Sequence, residues 1–324
     1  MPLPPSEYIS NVWKPDIFKD KVVFCTGGNG TICSAQVRAL VHLGANACIV
    51  GRNAEKTEAV AADLATARAG SRVLGLGGVD VRDVASLQRA VDRTAQELGG
   101  IDFLIAGAAG NFLAPIAGLS TNAFARVIEI DLLGSYNVTK ACLPYLLESV
   151  KKHNAPGALP KDASSGPSGR IIYVSATLHY AGTPLQTHAA VAKAGIDALS
   201  NNVCIEYGPF GITSNIIAPG PIGGTEGMDR LSTLAHSGES NPVIRSVPVG
   251  RWGKVKEVAD ATVFLFSDTG NYVSGQVTVV DGGAWRVSAG FSDSGFQYPD
   301  FLLSGAEVTG VGGAKKTKSG GPKL

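Results

Sequence analysis

Seven short apolar runs, at 22–25, 47–50, 73–76, 103–106, 171–174, 213–217 and 277–280, are each separated from the next by a segment long enough to hold a helix. Strand-length runs alternating with helix-length segments predict βαβ units, whose strands pair in parallel and are covered on both faces. The fold class expected is α/β: a Rossmann-like, doubly wound, seven-stranded parallel sheet with helices on both faces. One domain over 21–285 accommodates all the runs. Residues 1–20 stand outside the alternation as an N-terminal extension, and 286–324 as a C-terminal extension with a glycine- and lysine-rich end that reads as disordered. Residues 151–169, rich in Pro, Gly, Ser and Ala, read as an exposed insertion between a helix and the fifth strand.

Composition removes several functional classes. A formal charge of +1 offers no general attraction for nucleic acid or an anionic membrane, so any anionic ligand has to be met locally. The five cysteines, Cys25, Cys33, Cys48, Cys142 and Cys204, have no CxxC spacing; they read as buried reduced thiols, with no metal site and no disulfide framework expected. No apolar run reaches the roughly 18 residues of a membrane span, and the first residues lack the pattern of a secretory signal.

After the first strand comes Thr26-Gly27-Gly28-Asn29-Gly30-Thr31-Ile32-Cys33, followed by a helical pattern. Strand, glycine turn and helix in that order bring backbone N–H groups and a helix N-terminus to a pyrophosphate. The second strand ends in Gly51-Arg52-Asn53 with no acidic residue to hold a ribose 2′-hydroxyl, which predicts NADP(H) rather than NAD(H).

These residues resemble the glycine motif of the short-chain dehydrogenases/reductases, with Thr31 and Cys33 where that family has its last two glycines. Cys33 therefore has to pack where helix and strand approach closely. Asp80-Val81 resembles the family's adenine-binding pair, Pro219-Gly220-Pro221-Ile222 its nicotinamide-side loop, and Lys193 its ribose-holding lysine. The resemblance covers about residues 20–285. It implies cofactor contacts at Gly27, Gly28, Asn29, Gly30, Thr31, Ile32, Arg52, Asn53, Asp80, Val81, Ala108, Lys193, Pro219, Gly220, Ile222 and Thr225.

Most of that family uses an Asn, a Ser, a Tyr and a Lys. Only Lys193 is present: the Tyr position is Ala189, the Ser position Ala176 and the Asn position Asp131. Reducing a ketone requires an acid at the new alkoxide, and this set supplies none, so plain alcohol/ketone chemistry is not expected. Hydride can instead enter a conjugated thioester, whose negative charge spreads to the carbonyl oxygen. The pattern resembles the 2,4-dienoyl-CoA reductases of the peroxisomal type, which share Ala108-Ala109-Gly110-Asn111-Phe112, Ile130-Asp131, Thr187-His188-Ala189 and the Ala218-to-Gly227 loop. The resemblance implies hydride transfer from NADPH to the δ-carbon and protonation of the α-carbon by a water held by Asp131, giving a 3-enoyl-CoA. Asp131 and Lys193 are the expected catalytic residues. Arg52, Arg82, Phe112, Ser120, Thr121, Asn122 and Arg230 are the expected contacts of the acyl-CoA, with Arg52 shared between two ligands. His188 and His179 stay open as participants; a helical step of about 100° prevents His188 from taking the direction of the missing Tyr.

The chain ends Pro322-Lys323-Leu324, a variant of a peroxisomal address, so matrix localisation through an import receptor is expected. The resemblance further implies a homodimer or homotetramer. Two other functions stay open at this level: a 2-enoyl-CoA reductase of the same fold, and a catalytically inactive NADP(H)-binding regulator.

Overall fold

The computed structural model describes residues 3–153, 169–225 and 247–287. The strands are β1 (Val22–Thr26), β2 (Asn46–Val50), β3 (Val73–Leu76), β4 (Phe103–Ala106), β5 (Arg170–Val174), β6 (Thr213–Pro219) and β7 (Val277–Val280). All pair in parallel in the order β3-β2-β1-β4-β5-β6-β7. All seven expected runs are strands, extended by a residue or two at some ends. The helices are α1 (Thr31–His42), α2 (Ala54–Ala65), α3 (Val84–Leu98), α4 (Thr121–Val127), α5 (Gly134–His153), α6 (Leu178–Ala181), α7 (Thr187–Tyr207), α8 (Val255–Phe266) and α9 (Ala284–Val287).

Each central strand is buried on both faces, and its side chains alternate between two cores. In β1, Val23 and Cys25 join the core beneath α1 and α8, while Phe24 joins the one beneath α3, α5 and α7. Full burial of an aromatic such as Phe103, stacked on Phe266 at 4.7 Å, contributes about 1.5–3 kcal/mol. Between α1 and α8 the wholly buried Gln36 donates through Nε2 to Thr262 Oγ1 at 2.8 Å. Helix ends follow local sequence: Asn53 caps α2, Asp83 caps α3, and Gly99 closes α3 in the left-handed region.

The N-terminal extension belongs to the packed unit. Tyr8, Ile9 and Phe18 are buried, and Asp260 of α8 accepts from Ser10 N (3.0 Å), Ser10 Oγ (2.5 Å) and Trp13 Nε1 (2.8 Å). Sequence periodicity could not reveal this, because a segment without regular structure carries no period. Nearly all of the expected insertion and the expected C-terminal extension beyond Val287 lie outside the described residues. The five cysteines are unpaired; four are buried as expected, while Cys204 is half-exposed and accepts from Ser274 Oγ at 3.1 Å. Among the described residues, no helix is long and apolar enough to cross a membrane.

Candidate active site

Strand order reverses between β1 and β4, and in such sheets the ligand crevice opens beyond the carboxyl ends at that point. The glycine turn after β1 lies there, directly against the chain leaving β4. Gly27 has φ +68°, and a Cβ on it would stand 2.6 Å from the Gly107 carbonyl oxygen; a Cβ on Gly28 would stand 2.5 Å from Ile49. Only glycine permits this approach of backbone to backbone. Gly30 occupies the N-cap of α1 without a side-chain cap, so the helix's first N–H groups are left for a ligand such as a pyrophosphate.

Cys33, in the place of a family glycine, is accommodated by a compensating absence. A Cβ at Gly107 would lie 2.2 Å from Cys33 Sγ, so the thiol occupies the volume that any side chain at Gly107 would need. Thr26 completes the junction, its hydroxyl accepting from Gly107 N (3.1 Å) and Ala108 N (3.3 Å).

Around the expected adenosine end, Arg52 is exposed beyond β2 and no acid stands beside it on that strand end. Asn53 spends its side-chain oxygen capping α2, and Asn29 donates to Thr57 at 3.0 Å. Asp80 accepts a fork from Arg82 (2.9 and 2.5 Å), an interaction that holds its carboxyl below the usual range. Val81 is buried and meets Gly134, where a Cβ would fall 2.6 Å from Val81 Cγ2. Pro219 ends β6; a Cβ at Gly220 would touch Asp281 at 2.4 Å, while Thr225 Oγ1 donates to the Ile222 carbonyl at 2.9 Å.

The two catalytic candidates, Asp131 and Lys193, lie side by side. Asp131, 1% exposed, lies in a π-helical turn, Ile128–Leu133, inserted between α4 and α5. Such single wide turns re-aim side chains at functional sites, and periodicity did not announce this one. Asp131 Oδ1 accepts from Gly110 N at 2.7 Å, and Oδ2 lies 3.2 Å from Lys193 Nζ. Lys193, from α7, also donates to the Val174 carbonyl at the end of β5 (3.0 Å). Burial raises the Asp131 pKa, and Lys193, Gly110 and His188 oppose it only in part. Ala189 and Ala176, where hydroxyls would stand in most of the family, offer no acid.

Phe112 stacks on His188 at 4.2 Å, bringing the chain after β4 onto α7. Asn111 braces the same place, donating to Gln186 at 2.7 Å and accepting from Phe112 N at 2.8 Å. The other acyl-CoA candidates sit further out. Ser120 caps α4 through Ala123 N, and Thr121 and Asn122 are exposed on its first turn. Arg82 is bound to Asp80, and Arg230 lies outside the described residues. His179 Nε2 donates to Asp197 Oδ2 (2.7 Å), as Tyr180 does (2.6 Å), while Ser175 donates to Oδ1 (2.9 Å). Asp197 lies one helical turn beyond Lys193. That anchor for the loop after β5 was not foreseen, since nothing in sequence joins positions so far apart.

Residues 28–284 match a family profile described as enoyl-(acyl carrier protein) reductase. The chain is 45% identical over 292 residues to the peroxisomal 2,4-dienoyl-CoA reductase of Saccharomyces cerevisiae, covering 90% of this chain and 92% of that protein. This chain belongs to the short-chain dehydrogenase/reductase family. The enzyme of the same name from Danio rerio is 40% identical over 86% of each chain. The solved structure of levodione reductase superposes with a TM-score of 0.73 at 27% identity, covering 83% of this chain and 99% of that one. The family fold binds a nicotinamide cofactor, and the glycine cradle and open α1 N-terminus described above fit one.

Proposed function

We propose that this short-chain dehydrogenase/reductase is a peroxisomal, NADPH-dependent 2,4-dienoyl-CoA reductase that forms 3-enoyl-CoA during degradation of unsaturated fatty acids. The observation that carries the reading is the Asp131–Lys193 pair in a site whose hydroxyl positions are Ala176 and Ala189. The curated relatives named peroxisomal 2,4-dienoyl-CoA reductases, with a (3E)-enoyl-CoA product, support both substrate and compartment. When bound, the cofactor supplies the hydride that reduces the conjugated thioester at its δ-carbon.

The chain's own groups then manage charge and proton. Lys193, fixed by Val174 and Asp131, presents its ammonium group to the nicotinamide ribose. Asp131 holds a water beside the α-carbon. As the α-carbon–hydrogen bond forms, the water's O–H bond breaks, and the hydroxide left behind takes a proton through Asp131 and Lys193 from solvent. Net consumption is one dienoyl-CoA, one NADPH and one proton. Phe112 flanks the acyl group, with Ser120, Thr121 and Asn122 at its mouth; Arg52, Arg82 and Arg230 serve phosphates, for which the guanidinium fork is suited. The absence of an acid beyond β2 and the presence of Arg52 support NADP(H) over NAD(H).

Two further features complete the proposal. Pro322-Lys323-Leu324 serves as the address read by an import receptor. The chain pairs through α5 and α7, where Tyr136, Val191 and Ile205 are exposed and Leu143, Pro144, Leu147 and Tyr207 line a groove of about 460 Å³; a dimer, or a tetramer built from it, covers this face. The deciding assay follows NADPH absorbance with 2,4-hexadienoyl-CoA and with 2-hexenoyl-CoA, and locates the product double bond by NMR. Turnover of the diene alone, to the 3-ene, is expected. Turnover of 2-hexenoyl-CoA would instead make the chain a 2-enoyl-CoA reductase, and NADPH binding without turnover of either would make it a regulator.

A further inference from the structure

His188 is wholly buried, yet neither ring nitrogen has a hydrogen-bond partner of ordinary geometry. Buried polar groups are almost always satisfied, so an imidazole with only the Phe112 backbone near it has capacity left for a partner that arrives with the ligand. Its surroundings say which ligand. One ring face is covered by Phe112, centroids 4.2 Å apart and planes 17° apart, so the ring plane is fixed and only its nitrogen-bearing edge can make polar contacts. Ala189, the next residue on α7, is buried and carries only a methyl where most of the family has its tyrosine. Asp131 is near enough for its charge to act on the ring, and Lys193 Nζ lies 3.2 Å from Asp131 Oδ2.

We infer that His188 is a third catalytic residue, whose imidazole edge holds the proton-delivering water from the side opposite Asp131. Burial lowers its pKa, against the Phe112 backbone and Asp131, which favours the neutral ring. A neutral ring has one donor and one acceptor nitrogen, while the carboxylate can only accept. The pair therefore orients the water: Asp131 accepts one of its hydrogens, His188 donates to its oxygen, and the remaining hydrogen points at the α-carbon. The covalent change is the one already given, with one O–H bond broken and one C–H bond formed, and His188 neither gains nor loses a proton overall.

This inference rests on the dienoyl-CoA reading, so the wild-type protein is assayed first with 2,4-hexadienoyl-CoA; no turnover there would defeat that reading. The His188→Phe variant keeps the stack on Phe112 and removes both nitrogens. Its kcat should fall about 100-fold with KM for the thioester changed less than about threefold, as expected when a proton-transfer partner is lost. NADPH affinity should hold, and thermal stability should be equal or higher, because an unsatisfied polar group has been replaced by an apolar one of similar shape. His188→Gln, which returns a donor near the Nε2 position, should recover about a tenth or more of the rate. The solvent deuterium isotope effect on kcat should grow in His188→Phe while that of deuterated NADPH shrinks. A His188→Phe enzyme within twofold of wild-type kcat overturns the assignment. So does a loss of rate that tracks a fall in melting temperature or in NADPH affinity, since that is the signature of a structural histidine.

Discussion

Exchange of volume between Cys33 and Gly107 can be measured as a coupling energy. Gly107 does not adopt a left-handed conformation, so Gly107→Ala carries no backbone penalty of its own, and its cost is the collision of a new methyl with Cys33 Sγ at 2.2 Å. Thr26 O at 3.2 Å and Val174 Cγ2 at 3.4 Å close the remaining space, so the methyl cannot move aside. Overpacking of that kind costs about 2–3 kcal/mol. Cys33→Ala alone removes one buried sulfur, at a cost of about 1 kcal/mol. In the double variant the Gly107→Ala methyl enters the space the sulfur vacated, so the second substitution should cost close to nothing. The coupling is then about 2 kcal/mol, within the range seen for residues in direct contact. Urea unfolding followed by circular dichroism reads it directly, and Gly107→Ala alone should lower the melting temperature by about 4–8 °C. NADPH affinity should follow the same pattern, because the Gly107 carbonyl abuts Gly27 in the phosphate turn. Costs that add within about 0.5 kcal/mol would refute the account.

Asp131→Ala should abolish diene reduction while leaving NADPH affinity, measured by quenching of its fluorescence, within a few-fold; an unchanged rate would remove Asp131 from the mechanism. Arg52→Ala should raise KM for NADPH about tenfold with little change for NADH, matching the loss of one charge-assisted contact of about 1.5 kcal/mol, and equal effects on both would assign Arg52 elsewhere. Because burial depresses the His188 pKa below its unfolded value near 6.5, its contribution to stability is present above that pH and lost as pH falls through the folded value. Melting temperatures from pH 7.5 to 5 should accordingly fall more steeply for the wild type than for His188→Phe, with Asp131, whose charge acts on the ring, present in both; parallel curves would refute this contribution.

Much of the scaffold was readable because its signals are local. Each strand is a short apolar run, the central ones buried on both faces, and each of these runs reports itself without reference to any other part of the chain. The glycine turn was legible for the same reason: strand, Gly27-Gly28-Asn29-Gly30 and helix are contiguous. Asp131 and Lys193 were each named only through the family resemblance, and the 3.2 Å between them depends on a π turn that no period in the sequence marks. The N-terminal extension was set apart for lack of a period, although Asp260 and the buried Tyr8 and Phe18 bind it to the core.

Sequence by itself determined the parallel sheet, the place of the phosphate turn, and the absence of hydroxyl acids at Ala176 and Ala189, since each is a property of residue type or of neighbours along the chain. Only the tertiary structure decided that Gly107 makes room for Cys33, that Gly110 and Lys193 grip the two oxygens of Asp131, and that His188 lies buried against Phe112. Those are contacts between segments tens of residues apart, set by how the elements pack. Packing leaves no trace in the order of residues until the chain has folded.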